Sequence, residues 1–358
     1  MSSPETEPKV KPPPEINCSE SITLISVENR PEQYHQFEEE SALAIRAALG
    51  AKRPLLVRGK PGVGKTQLAA AAAKVLKRPL VSRVVDSRTE ARDLLWEFDA
   101  VMRLAAAQIE AAVAPVRDSQ NRKQDDHPGD ISQDRKSVIK QLQKRLSVRR
   151  FLRPGPLWWA FDWQSALDQA RRSRSPEPTY DLEASPENGC VVLIDEIDKA
   201  DTDVPNGLLE ALGSGEFTPL GSSKPIKVAG EPPLVIITTN EERVLPNAFL
   251  RRCLVLRLKL PDKDDELIDF LKARARVHFP RQAKSGSYEG LFHEAAKLLV
   301  RDRTEAREQF VEPWPGQAEY LDLLRAVLHL KPDVVEYHRA FLDSVAEFAL
   351  RKHEKPQS

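Results

Sequence analysis

The sequence predicts an α/β fold, a parallel sheet flanked by helices, followed by an all-helical C-terminal region. Three observations predict it. A glycine-rich loop, Gly59 to Thr66, is entered through the apolar strand Pro54-Leu55-Leu56-Val57 and left through the alanine-rich run Gln67 to Val75, which reads as a helix. Two unbroken apolar runs, Cys190 to Ile194 and Leu234 to Thr239, end on polar residues, as strands buried on both faces of a parallel sheet do. From Asp264 onward apolar residues recur at helical spacing: Leu267, Phe270 and Leu271; Leu291, Ala295, Leu298 and Leu299; Tyr320, Leu321, Leu324, Val327 and Leu328.

A chain of 358 residues with 41% apolar content can fill a substantial core and is long enough for two or three domains. Its 54 basic residues match its 54 acidic ones, so no global positive field argues for nucleic acid. The three cysteines, Cys18, Cys190 and Cys253, are far apart and lack metal-binding spacing, which fits a reducing compartment. The N-terminus is polar and proline-rich, and no apolar run approaches the length that spans a bilayer; the expectation is a cytoplasmic protein without membrane contact.

In chain order, residues 1–20 carry five prolines among mixed charges and read as a disordered tail. Phe37 to Leu49 reads as a helix stopped by Gly50, placed to flank a nucleotide base. Pro79 to Val85 reads as a strand, Glu90 to Ala114 as one long or two short helices closed by Pro115, and Asp118 to Asp130 as a loop. Lys136 to Arg153 contains seven basic residues and no acid, with Ile139, Leu142 and Leu146 at helical spacing. It reads as a basic amphipathic helix, either docked with a solvated face or presented to nucleic acid or an acidic partner. The first reading is favoured, because its one aromatic, Phe151, sits at the far end. Trp158, Trp159 and Phe161 read as core, and Arg171 to Asn188 as an exposed loop. Residues 104–189 thus form a large insertion between sheet strands.

Gly59-Lys60-Pro61-Gly62-Val63-Gly64-Lys65-Thr66 fits the pattern of a glycine, four residues, then Gly-Lys-Thr, whose backbone N–H groups cradle the phosphates of a nucleoside triphosphate. The candidate contacts are Gly59, Pro61, Gly62, Val63, Gly64, Lys65, Thr66 and Gln67. Lys65 is expected to reach the outer phosphates, and Thr66 to hold Mg²⁺ together with Asp195, the carboxylate closing the second buried strand. Glu196, beside it, is the candidate base for the attacking water. Asn240, closing the third strand, is either a water-holding amide or a turn former. Arg251 and Arg252, before the strand Leu254 to Leu258, are either surface charges or a cation offered to a neighbouring subunit.

Phosphate loop, Asp195-Glu196, Asn240 and Leu250-Arg251-Arg252-Cys253 occur in the order and rough spacing of the AAA+ ATPases, and over about residues 35–345 the chain resembles that family. Gly155-Pro156-Leu157, Leu208-Leu209-Glu210-Ala211-Leu212 and Asn240-Glu241-Glu242-Arg243 leading to Leu245-Pro246 resemble its MoxR-type branch. The resemblance implies a five-stranded parallel sheet in an ATP-binding core over residues 21–262, and a helical lid over 263–358. It implies Asn240 as the sensor-1 residue, Arg252 as the arginine finger, and Glu216 to Val228 as the hairpin inserted before sensor 1. It further implies ATP hydrolysis with Mg²⁺ in a ring, a hexamer by the family's habit, that remodels a client protein, often with a partner carrying a von Willebrand A-type domain. The basic residue the family often places near Glu312-Pro313-Trp314-Pro315-Gly316 is missing; Arg301, Arg303 and Arg307 are the substitutes at hand, and nothing selects among them. The loop reads phosphates, so ATP and GTP are not distinguished by it.

Overall fold

The structure is a computed structural model, and it describes residues 12–24, 33–121, 139–310, 312, 314–330 and 335–350. Its centre is a five-stranded parallel sheet: β3 (Leu55–Arg58), β4 (Leu80–Val84), β7 (Val191–Asp195), β10 (Leu234–Thr239) and β11 (Leu254–Arg257), laid side by side as β11-β3-β10-β7-β4. Along the three central strands alternate residues point to opposite faces. Leu56, Val192, Ile194, Val235 and Ile237 enter one core with α5 (Pro156–Phe161), α7 (Asp203–Ser214) and α8 (Asn247–Arg252). Leu55, Val57, Val191, Leu193, Leu234 and Ile236 enter the other, with α1 (Glu39–Ala51) and α2 (Lys65–Val75). Burial on both faces explains the uninterrupted apolar runs, and each such side chain contributes roughly 1.5–3 kcal/mol relative to exposure.

A third core is all-helical. It joins α9 (Asp264–His278), α11 (Glu289–Glu308), α12 (Gln317–Leu330) and α13 (Val335–Ala349) around Leu271, Phe292, Leu299, Tyr320 and Leu324, with α10 (Pro280–Ser285) beside α9. Among the described residues no helix is long and apolar enough to cross a membrane.

Several local expectations shift. Helix α1 runs through Gly50 and ends at Lys52, which takes the left-handed conformation (φ 51°) and returns its N–H to Ala48 and Leu49; the terminating bend is made without glycine. Residues 12–20, placed by the sequence in a disordered tail, lead into β1 (Ser21–Leu24), and Ile16 is buried with Leu24 against the sheet's flank; residues 1–11 lie outside the described residues. β1 pairs with β2 (Gln33–Gln36).

The insertion differs most. Glu90 to Ala114 is a short 3-10 turn (Ala91–Leu94) stabilised by reciprocal Glu90 and Asp93 capping, then β5 (Trp96–Phe98), then α3 (Ala100–Asn121), which passes through Pro115. The basic stretch is likewise divided into α4 (139–145), a 3-10 turn (Val148–Phe151) and β6 (Leu152–Pro154), which pairs antiparallel with β5. Lys136 and the loop residues 122–130 lie outside the described residues. Helix α6 (Trp163–Ser173) closes the insertion against β6. The hairpin expected at Glu216 to Val228 is present as β8 (Glu216–Phe217) paired with β9 (Ile226–Lys227). Phe217 anchors it at ring distances of 5.6–5.8 Å from Trp96, Trp158 and Phe161.

Candidate functional site

The phosphate loop joins β3 to α2 at the carboxyl end of the sheet, between β3 and β10, where the chain's progression across the sheet reverses; crevices at such points are where open α/β sheets bind ligands. Gly62 (φ 79°) and Gly64 (φ 91°) take conformations that L side chains rarely adopt. Gly59 is required for another reason: a Cβ there would lie 2.5 Å from the Leu258 carbonyl oxygen, so the loop's entry is pressed against the end of β11. Gly64 caps α2, whose first N–H groups face the loop and favour an anion.

Lys65 is buried, and its ammonium donates to the carbonyls of Gly59 (2.7 Å) and Lys60 (2.9 Å) and to Asn240 Oδ1 (2.8 Å). Burial lowers its pKa, opposed by the charges of Asp195, Asp198, Glu196 and Glu241. Thr66 Oγ1 donates to Asp195 Oδ2 at 3.0 Å, so two hard oxygen donors stand adjacent beside the loop. Asn240 Nδ2 donates to Glu196 Oε1 (3.2 Å), and Lys199 Nζ donates to the other oxygen (2.7 Å). Glu196 itself sits in the left-handed region (φ 61°), a conformation of the kind stored at functional sites. The hydrogen bond to Glu196 raises the pKa of Lys199.

A cleft of about 300 Å³ is lined by Pro61, Gly62, Gly64, Lys65, Thr66, Gln67, Asp195, Glu196 and Asn240 from the sheet side. Its opposite wall is α12, through Gln317, Ala318, Leu321, Asp322 and Arg325. Gly62 and α12 nearly touch: a Cβ on Gly62 would lie 3.1 Å from that of Ala318. Val63 faces away, into a narrower cavity with His35, Leu258, Phe270 and Arg274. Arg252 is not in the cleft; it is exposed at the end of α8, where the chain enters the edge strand β11.

Sequence reasoning missed four groups. Thr238 Oγ1 donates to Asp195 Oδ1 and accepts from the Glu196 N–H (3.0 Å), locking the two acids together. Buried Asp198 accepts the N–H groups of Asn240 (3.3 Å) and Glu242 (2.9 Å), fixing the turn that carries Asn240. Lys199 pairs with Glu196. Arg325, ion-paired with Asp322 at 2.7 Å, is a cation of α12 lining the cleft. Arg303 and Arg307 instead flank the Trp314 ring, and Arg301 meets Asp302 and Glu305. A signal for Arg325 existed: Ala318, Leu321, Asp322 and Arg325 share one helical face by spacing.

The residues fit a nucleoside triphosphate and its Mg²⁺. A buried ammonium satisfied by neutral oxygens, backbone N–H groups at a helix N-terminus, and a paired hydroxyl and carboxylate form the donor set such a ligand needs.

A search of curated proteins gives no match to the chain. Among solved structures, a Cytophaga hutchinsonii protein described as a "putative ATPase" is 14% identical, over 84% of this chain and 78% of its own, at a TM-score of 0.35. The AAA domain (dynein-related subfamily) matches residues 54–253, which span four of the five sheet strands, end just before β11 and make up more than half of the sequence. This chain therefore belongs to the AAA domain family of the dynein-related subfamily, with the AAA+ phosphate-loop fold.

Proposed function

We propose that this protein is an Mg²⁺-dependent, MoxR-like ATPase that works as a ring, with one ATP held per subunit between the sheet and the helical C-terminal region. The carrying observation is the convergence of Lys65, Thr66, Asp195, Glu196 and Asn240 on one cleft. In this reading Lys65 exchanges its carbonyl partners for phosphate oxygens, a stronger, charge-assisted set. Mg²⁺, held by Thr66 and Asp195, would neutralise charge on the phosphates. Glu196 takes the proton of the attacking water, and Asn240, already within hydrogen-bond distance of both Lys65 and Glu196, orients that water. Arg325 serves as the sensor-2 cation from the lid, and Arg252 reaches the site of a neighbouring subunit.

The local matches around Gly155, Leu208 and Leu245 support the MoxR-like reading. With it come the hexameric ring, a client protein to be remodelled, a von Willebrand A-type partner and a cytoplasmic setting, the last supported by three free thiols. We divide the chain functionally into the nucleotide core, 21–262 with its insertion, and the lid beyond.

The test separates binding from turnover. Lys65→Ala should abolish binding of a fluorescent ATP analogue, whereas Glu196→Gln should bind nearly as the parent does and lose turnover by about 10²- to 10⁴-fold. Equal loss of binding in both variants overturns the assignment of roles, and a parent protein without Mg²⁺-dependent turnover overturns the enzyme reading.

A further inference from the structure

Helix α8 is only six residues long and ends on Arg251 and Arg252, so its last carbonyls have no partner within the helix. They are met from elsewhere in the sequence. Arg53, half-buried in the short connection between α1 and β3, donates Nε to the Arg252 carbonyl at 3.0 Å and its terminal nitrogen to the Arg251 carbonyl. A planar guanidinium can hold two adjacent carbonyls at once, and a cation at a helix C-terminus is favoured by the helix dipole. The same junction is tied at two further points. The Leu254 N–H bonds to the Pro54 carbonyl at 2.9 Å, and Arg53 N–H to Ala48 at 3.1 Å. Between them Cys253 is buried, its thiol pushed up to about 12 by burial while the nearby Arg53 charge pulls the other way.

Arg53 precedes β3, the strand that runs directly into this subunit's phosphate loop. Arg252 lies on the other side of the fork, with its side chain exposed at the sheet edge. We infer that Arg53 is a positioning residue for the arginine finger: its fork sets the direction from which Arg252 enters the neighbour's site and ties that direction to the finger subunit's own phosphate-loop strand. The inference rests on the reading of Arg252 as a finger acting in trans. Arg53 touches no nucleotide; it acts through the backbone of Arg251 and Arg252 alone.

The role predicts an asymmetry that a structural role does not. Lys65→Ala subunits keep a finger and lack a site; Arg252→Ala subunits keep a site and lack a finger. Mixed, they should regain turnover. Adding Arg53→Met to the finger donor should cut that regained turnover by about 10- to 100-fold, the scale on which a small misplacement acts. Adding it to the Arg252→Ala acceptor should leave turnover unchanged, and Arg53→Lys in the donor should restore part of the loss, since an ammonium can meet one carbonyl of the two. Where Arg53→Met fails to co-assemble, Arg53→Gln, which keeps a single, uncharged donor nitrogen, takes its place in both arms. Loss in both positions, or in neither, overturns the role of Arg53 alone. Failure of the starting pair to regain turnover although the subunits co-assemble overturns the trans finger, and the Arg53 inference with it.

Discussion

Ile236 and Ile237 on β10 are wholly out of solvent on opposite faces of the sheet, whereas Val101 and Ile109 on α3 stand 78% and 64% exposed. The contrast extends to what holds each region. The sheet is fixed by apolar burial on both faces. The insertion between β4 and β7 buries apolar side chains at its base, where Leu152, Leu157, Trp158, Phe161 and Ala166 join the core beside Phe217 of the later hairpin. Farther out, α3 is held to the rest of the insertion by polar contacts. Arg103 donates to the Leu146 carbonyl (3.1 Å), Glu110 pairs with Arg145 (2.8 Å), and Asp99 pairs with Arg153 (3.2 Å). Exposed pairs of that kind contribute about 0–1 kcal/mol each. The sheet is therefore stabilised by what it buries, and the outer part of the insertion is held in place while Val101, Met102, Leu104 and Ile109 of α3 stay in water.

The largest effect that sharpens this comparison is a matched truncation. Ile236→Ala removes a fully buried side chain and should cost about 2–5 kcal/mol of unfolding free energy, while Ile109→Ala should cost less than about 0.5 kcal/mol. Urea denaturation with an unchanged slope reads both. A loss at Ile109 comparable to that at Ile236 would mean the outer face of α3 is covered in the native protein, and the contrast would fail.

The same contrast explains what the sequence made legible. Strands buried on both faces leave unbroken runs, so β3, β7 and β10 were readable, and the phosphate loop, Asp195, Glu196 and Asn240 were placed because each follows such a run directly. The AAA+ family and the fold follow from those pieces. In the insertion, β5 and β6 are three residues each and find each other across more than fifty residues, a pairing that no local pattern encodes. Pro115 misled because a proline is expected to end a helix, yet α3 continues to Asn121. Thr238 and Asp198 left no signal, and the helical face that carries Arg325 did not single it out, for a third reason. They act by contacts made across strands and between the sheet and the C-terminal helices, which no local pattern encodes.

An intermediate effect lies where β2 meets α9. Burial, reinforced by Arg274, lowers the pKa of His35 to about 4, and burial with the charges of Arg325, Arg274 and His35 lowers that of His278 to about 4. Both rings stay neutral in the fold and take up protons more readily once unfolded. Stability should therefore rise with pH between about 4 and 6.5, and be lost as pH falls through that window, by roughly 1–3 kcal/mol for the well-buried His278. Denaturation series at pH 7 and pH 5 would measure it. His278→Phe should flatten the difference; an unchanged pH dependence in that variant would show that the ring is not the group taking up the proton.

The smallest expected effect tests the basic side of the insertion. Lys140, Lys144 and Arg150 are exposed and have no acidic partner among the described residues, unlike Arg145 and Arg153. Nucleic acid would need this charge, and it would also need stacking surfaces. The described residues from 139 to 150 contain no aromatic side chain, and the whole chain is electrically balanced. A solvated basic face accounts for the residues without a ligand. Replacing the three with glutamine removes charge and leaves the contacts of Arg103, Arg145 and Arg153 intact. Stability should then change by less than about 0.5 kcal/mol, as surface substitutions away from buried features usually do. Mg²⁺-dependent turnover should stay close to that of the parent, because none of the three lines the cleft. Nanomolar binding of nucleic acid by the parent, falling steeply with salt and lost in the triple variant, would reverse the reading and make this face a working surface.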